Sequence, residues 1–90
     1  MIIDFKQQQY KVFDDLARCL QAAPETYLDF ESVSDFYKAE WLNLLPKGAT
    51  WFCTGLDDGG AEFDILIRYG NRRLYIYMGE KIKMSYRVDD

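Results

Sequence analysis

Residues 50–88 read TWFCTGLDDGGAEFDILIRYGNRRLYIYMGEKIKMSYRV, and this stretch decides the fold. From Thr50 onward apolar and polar residues alternate with period two, the pattern of half-buried strands. Turn chemistry interrupts the alternation at Asp57-Asp58-Gly59-Gly60, Gly70-Asn71 and Gly79-Glu80. The spacing predicts four strands, about 50–56, 61–69, 72–78 and 82–88. Connections this short force antiparallel neighbours, so the sheet is expected as a meander in the order 1-2-3-4.

Loop lengths set the expected register. A four-residue loop at 57–60 pairs Leu56 with Ala61, and therefore Phe52 with Ile65. A two-residue turn at 70–71 pairs Tyr69 with Arg72, Ile67 with Leu74 and Ile65 with Ile76. At the last turn a two-residue loop would set Lys83 opposite Ile76. A three-residue loop, Gly79-Glu80-Lys81, pairs Met78 with Ile82 and Ile76 with Met84. A one-residue slip sends every side chain to the other face, so the three-residue loop is preferred because it keeps the apolar residues together.

That register gives one nearly continuous apolar face, from Phe52, Leu56, Phe63, Ile65 and Ile67 through Leu74, Ile76 and Met78 to Ile82, Met84, Tyr86 and Val88. It must be covered. Upstream, Phe5, Val12, Phe13, Leu16, Ala17 and Leu20 recur at roughly the helical period and predict a first helix over 4–22, stopped by Pro24. Residues 26–31 are ambiguous between a short edge strand and an extended connection. Ser32 and Asp35 form a weak capping box, and a second helix is expected over about 35–45, with Phe36, Tyr37, Trp41, Leu44 and Leu45 on its apolar side and Pro46 and Gly48 ending it. Two helices about 10 Å wide match four strands spaced about 4.8 Å apart. The expected fold is α+β: two N-terminal helices on one face of a four-stranded antiparallel meander, in a single domain over residues 1–90, with a helical half of about 1–46 and a sheet half of about 50–88.

Composition supports a folded chain. Of 90 residues, 49% are hydrophobic and 29% charged, which is not the pattern of disorder. There is no histidine, so Ser-His-Asp, Cys-His and imidazole-metal chemistry are excluded. Cys19 and Cys53 are isolated and read as reduced, buried thiols, with a Cys19–Cys53 disulfide as the alternative. No glycine-rich phosphate loop and no calcium-loop pattern is present. Glu62 and Asp64 are the nearest approach to a paired-carboxylate site, and no enzyme activity and no cofactor are expected. No signal peptide or membrane-length apolar run is evident, which gives a cytoplasmic expectation.

Charge is unevenly spread. Residues 1–64 carry twelve acidic and five basic residues, whereas residues 65–90 carry three acidic and six basic, within a total of −4. The acidic part opposes nucleic acid, and it offers a surface to a basic protein.

The second sheet face is expected to stay uncovered. On it the register sets Trp51, Leu66 and Tyr75 in one cross-strand row, Cys53, Asp64, Tyr77 and Lys83 in the next, and Arg68, Arg73 and Arg87 in a third. An aromatic row rimmed by charge has the anatomy of a protein-binding site; it also simply stabilises a sheet, by about 0.2–1 kcal/mol per pair. The arginines either pair with carboxylates of the helical half or of Asp89 and Asp90, or receive an acidic group. Trp51, Leu66, Tyr75, Tyr77, Arg68, Arg73 and Arg87 are therefore the candidate partner-binding residues. The expected function is non-catalytic binding of another macromolecule, in the manner of a stoichiometric inhibitor, immunity protein or phage-type antagonist. The alternatives are a homodimer through the same face and a weak nucleic-acid or anion binder through the arginine row.

Overall fold

Helix α1 (Phe5–Ala22) buries Phe13, Leu16, Ala17 and Leu20, an i, i+3, i+4, i+7 stripe along one side. The buried stripe is narrower than the apolar residues of the sequence suggest: Phe5 and Val12 stay exposed. The computed structural model describes residues 5–55 and 62–89.

Pro24 both separates and starts. Its ring disfavours helix at the preceding residue, so α1 ends at Ala22, and Pro24 itself occupies the first turn of the short helix α2 (Pro24–Tyr27). Residues 28–31 then continue without strand pairing, so no fifth strand forms here. Helix α3 (Val33–Tyr37) starts at Ser32, whose hydroxyl accepts from the Asp35 amide at 3.2 Å. The Asp35 carboxylate in turn accepts from the Glu31 amide at 3.0 Å, the return bond of the box displaced by one residue.

The expected second helix over 35–45 is not continuous. Ala39 takes extended backbone angles (φ −63°, ψ 126°), which ends α3 and starts a 3₁₀ helix, Glu40–Leu44. The break turns Trp41 and Leu42 into the core and leaves Tyr37 and Leu44 exposed.

Four strands follow: β1 (Thr50–Gly55), β2 (Phe63–Tyr69), β3 (Arg72–Met78) and β4 (Ile82–Val88). They form one antiparallel sheet in the order β1-β2-β3-β4, so the α+β meander is confirmed. The β2–β3 register pairs Ile67 with Leu74 and Ile65 with Ile76, and β3–β4 pairs Met78 with Ile82, all as the turns predict. Gly70 alone opens the β2–β3 turn at positive φ (55°), the requirement of a hairpin with glycine at its first central position.

The β1–β2 register differs by one residue. Cys53, not Phe52, pairs with Ile65, while Trp51 pairs with Ile67 and Phe52 with Leu66. The expected pairing of Leu56 with Ala61 across a 57–60 loop lies outside the described residues. The slip puts Trp51 and Cys53 on the core face and Phe52 on the open face. The small residues explain the choice. Helix α3 closes on β1, where a side chain at Gly55 would already touch Val33 Cγ2 at 3.7 Å. Cys53 and Gly55 are the small residues of that side, and Cys53 is buried there.

The core lies between this face and the helices. Ile65, Ile67, Leu74 and Ile76 are fully buried against Phe13, Leu20 and Phe36. Each such side chain contributes about 1.5–3 kcal/mol. Polar contacts fasten α1 to the far strands: Asp14 accepts from the Tyr86 hydroxyl and pairs with Arg72 at 3.4 Å, and the Arg72 guanidinium lies 4.0 Å from the Tyr10 ring centre. No helix among the described residues is long and apolar enough to cross a membrane.

Candidate functional site

The sheet face away from the helices carries three cross-strand rows, each built by the alternation of the strands. The first is Thr50, Arg68, Arg73 and Arg87. The second is Phe52, Leu66, Tyr75 and Ser85. The third is Thr54, Asp64, Tyr77 and Lys83. Face neighbours in adjacent strands stand about 5 Å apart, so each row is a continuous strip.

Six of the seven residues singled out from the sequence share this face: Leu66, Tyr75, Tyr77, Arg68, Arg73 and Arg87. Trp51 does not. Its side chain belongs to the core face, and Phe52, which sequence reasoning assigned to the core, takes its place beside Leu66. Phe52 is 63% exposed and Tyr75 40% exposed, so the middle row is an open apolar strip. Trp51, 38% exposed at the sheet edge, still reaches its margin: a shallow depression of about 360 Å³ is lined by Thr50, Trp51, Phe52, Leu66 and Arg68. The signal that could have found Phe52 is the small size of Cys53 and Gly55, which marks their side of β1 as the one that admits a helix.

The strip is flanked by opposite charge. On one side the Tyr75 hydroxyl donates to Asp64, and the Tyr77 hydroxyl donates to Glu62 at 2.9 Å. These bonds fix both phenols and employ both carboxylates that the sequence offered as a catalytic pair. The bond to Asp64, more than anything else, raises the Tyr75 pKa above its ordinary value. On the other side three guanidinium groups stand in line. Like charges directly opposite one another repel, and Arg73, in the middle, is offset by Asp89 at 2.9 Å. Asp89 is itself held by the Asn71 amide and carbonyl. Arg68 and Arg87 have no ion pair among the described residues. The pairing expected of the arginine row is thus met once in three.

The thiols fall out differently from the sequence reading. Cys53 is buried in the core and Cys19 is exposed on α1; both are free. Burial first, and the Asp64 charge second, push the Cys53 thiol up, away from the reactive thiolate. No group of three or more potential metal ligands gathers among the described residues.

Comparison with protein families, curated proteins and solved structures finds no match to this chain. The arrangement itself is an apolar strip three strands wide, with carboxylates bonded along one margin and, along the other, two guanidinium groups that have no ion pair among the described residues. Such a surface can bury apolar area and fix the orientation of what it meets.

Proposed function

We propose that this chain is a small non-catalytic protein that works by binding another protein through its open sheet face. The observation that carries the reading is the exposed strip of Phe52, Leu66 and Tyr75 lying beside Arg68 and Arg87. Aromatic residues and arginine are the types that dominate binding energy at protein interfaces. The phenols of Tyr75 and Tyr77 are already held by Asp64 and Glu62, so little ordering is needed on binding. The complementary partner surface has an apolar patch with a carboxylate rim facing Arg68 and Arg87. A stoichiometric inhibitor, an immunity protein or a phage-type antagonist acts in this way.

The test is affinity capture from the source organism with mass spectrometry, run beside light scattering on the isolated chain. The expected result is a protein partner captured by the wild type and lost with Phe52→Ala plus Tyr75→Ala. Weaker capture with Arg68→Ala plus Arg87→Ala, with the difference from the wild type shrinking at high salt, supports the carboxylate rim. A dimer that dissociates on the Phe52 and Tyr75 changes would replace the reading by self-association. Capture unchanged by either pair would reject the face.

A further inference from the structure

We infer that the cleft between α2 and the 3₁₀ helix is a binding site for an organic ammonium group. The cleft has a volume of about 600 Å³, within the range of small-molecule sites. Tyr27, Phe30 and the largely buried Trp41 are among its lining residues, together with Asp29 and Glu40, and no basic residue lines it among the described residues. Aromatic faces attract cations through their ring quadrupoles, and adjacent carboxylates add a charge of the right sign. An anion is repelled by this lining. A neutral apolar group of the same size gains from the rings but must take water from the carboxylates without replacing it. A positively charged nitrogen carried on an alkyl group satisfies both.

The two carboxylates are available. Asp14, Asp15 and Asp89 are engaged in ion pairs and Asp64 accepts from Tyr75, whereas Asp29 and Glu40 have no ion pair among the described residues. The walls are held in place before any ligand arrives. The Trp41 indole N–H donates to the Tyr27 carbonyl at 2.9 Å, which ties the 3₁₀ helix to α2. Phe30 packs edge-on against the fully buried Phe36 at 5.7 Å, and Phe36 packs edge-on against Trp41 at 6.0 Å. Leu44 stands at the cleft 64% exposed, apolar surface for the methylenes or methyls that carry the nitrogen. The lining comes wholly from the helical layer, so this site does not depend on the sheet face or on the reading proposed for it.

Two sources present this chemistry: a free alkylamine or quaternary ammonium compound, and a lysine side chain of a partner polypeptide. Both are tested by following the Trp41 indole N–H in nitrogen-proton correlation spectra, with Trp51→Phe identifying which of the two indole signals is which. Tetramethylammonium chloride stands for the free cation and Nα-acetyl-lysine-methylamide for the side chain, each titrated at constant ionic strength. The expected result is a saturable shift of the Trp41 signal with at least one of them. The one that saturates at the lower concentration identifies the source. Asp29→Asn with Glu40→Gln should weaken that binding roughly tenfold. Neutral 3,3-dimethylbutanol, of similar shape to a trimethylammonium compound, should bind far more weakly. The inference is overturned if neither cation shifts the signal, if the neutral alcohol binds as well as the cations, or if the double substitution leaves the affinity unchanged. The alcohol comparison uses the wild-type chain and so stands whether or not the variant folds.

Discussion

The Tyr37 hydroxyl accepts a hydrogen bond from the Cys53 amide at 3.0 Å. This joins the end of α3 to the outer edge of β1, where a strand amide would otherwise lie open. Edge strands with free amides are templates for unwanted pairing, and proteins cover them with helices or loops. Tyr37→Phe removes the acceptor and keeps the ring that packs edge-on against Phe36 at 5.0 Å. Urea melts should show a loss of about 1 kcal/mol. Amide hydrogen exchange at Cys53 should speed up while the β2 and β3 amides hold. Unchanged exchange at Cys53 would contradict the role of the hydroxyl.

Trp51 and Phe52 are adjacent and should answer substitution in opposite ways. Trp51 turns toward the core side of the sheet and Phe52 toward the open side. Trp51→Ala should cost about 2 kcal/mol of stability, a reduced form of the loss expected of a fully buried aromatic. Phe52→Ala should cost no more than about 1 kcal/mol, the scale of one exposed cross-strand contact. Partner capture should follow the reverse order. Denaturation midpoints measured on both variants decide it, and a larger loss for Phe52→Ala would mean that the β1 register is wrong.

The three strands β2, β3 and β4 could be read from the chain because their apolar alternation is strong enough to select the strand offsets. Between β2 and β3 the Gly70-Asn71 turn and the alternation of Ile65, Ile67, Leu74 and Ile76 demand the same offset; between β3 and β4 the turn admits two lengths, and the alternation selects the three-residue loop Gly79-Glu80-Lys81. In β1 the signals disagree. Thr50–Gly55 has one large aromatic on each face, so its alternation gives no preference, and the count through Asp57–Gly60 carried the register alone. What decides β1 is tertiary: α3 must fit against Cys53 and Gly55. The second helix failed for a similar reason. A helix continued through Ala39 would keep one apolar side, whereas the observed break sends Phe36, Trp41 and Leu42 into the core from different directions. The arginine row was legible because it lies on β2, β3 and β4. Phe52 was missed because it lies on β1. The ammonium cleft was not legible, because its residues come together only across that break.

The two thiols should separate sharply by reactivity. Cys19 is exposed on α1, whereas Cys53 is 5% exposed and its thiol is pushed up by burial and then by Asp64. The thiolate is the reactive form, and burial also bars the reagent. Ellman's reagent at pH 8 should therefore label one thiol per chain rapidly, with the second appearing only in denaturant. Mapping the labelled peptide should return Cys19. Rapid labelling of both in the native protein would place Cys53 at the surface, on the face first expected from the sequence.

Tyr86 should make stability fall at alkaline pH. Its hydroxyl donates to Asp14, and burial, with that hydrogen bond second, pushes its pKa from 10.0 to about 12. Below pH 10 both folded and unfolded chains keep the proton, so the full contribution of the part-buried hydroxyl is present. Between pH 10 and 12 the unfolded chain ionises while the native one does not. The unfolded state then binds fewer protons, and stability declines as pH rises. Tyr86→Phe has no proton to lose at this position. It should be less stable than the wild type at pH 9, with the difference shrinking steadily toward pH 12. Other tyrosines and lysines titrate in the same range, but they are common to both chains and cancel in the comparison. Paired urea melts at several pH values across this window provide the test. A difference that stays constant would show that the Tyr86 hydroxyl ionises alike in both states and that its bond to Asp14 adds nothing specific to the protonated form.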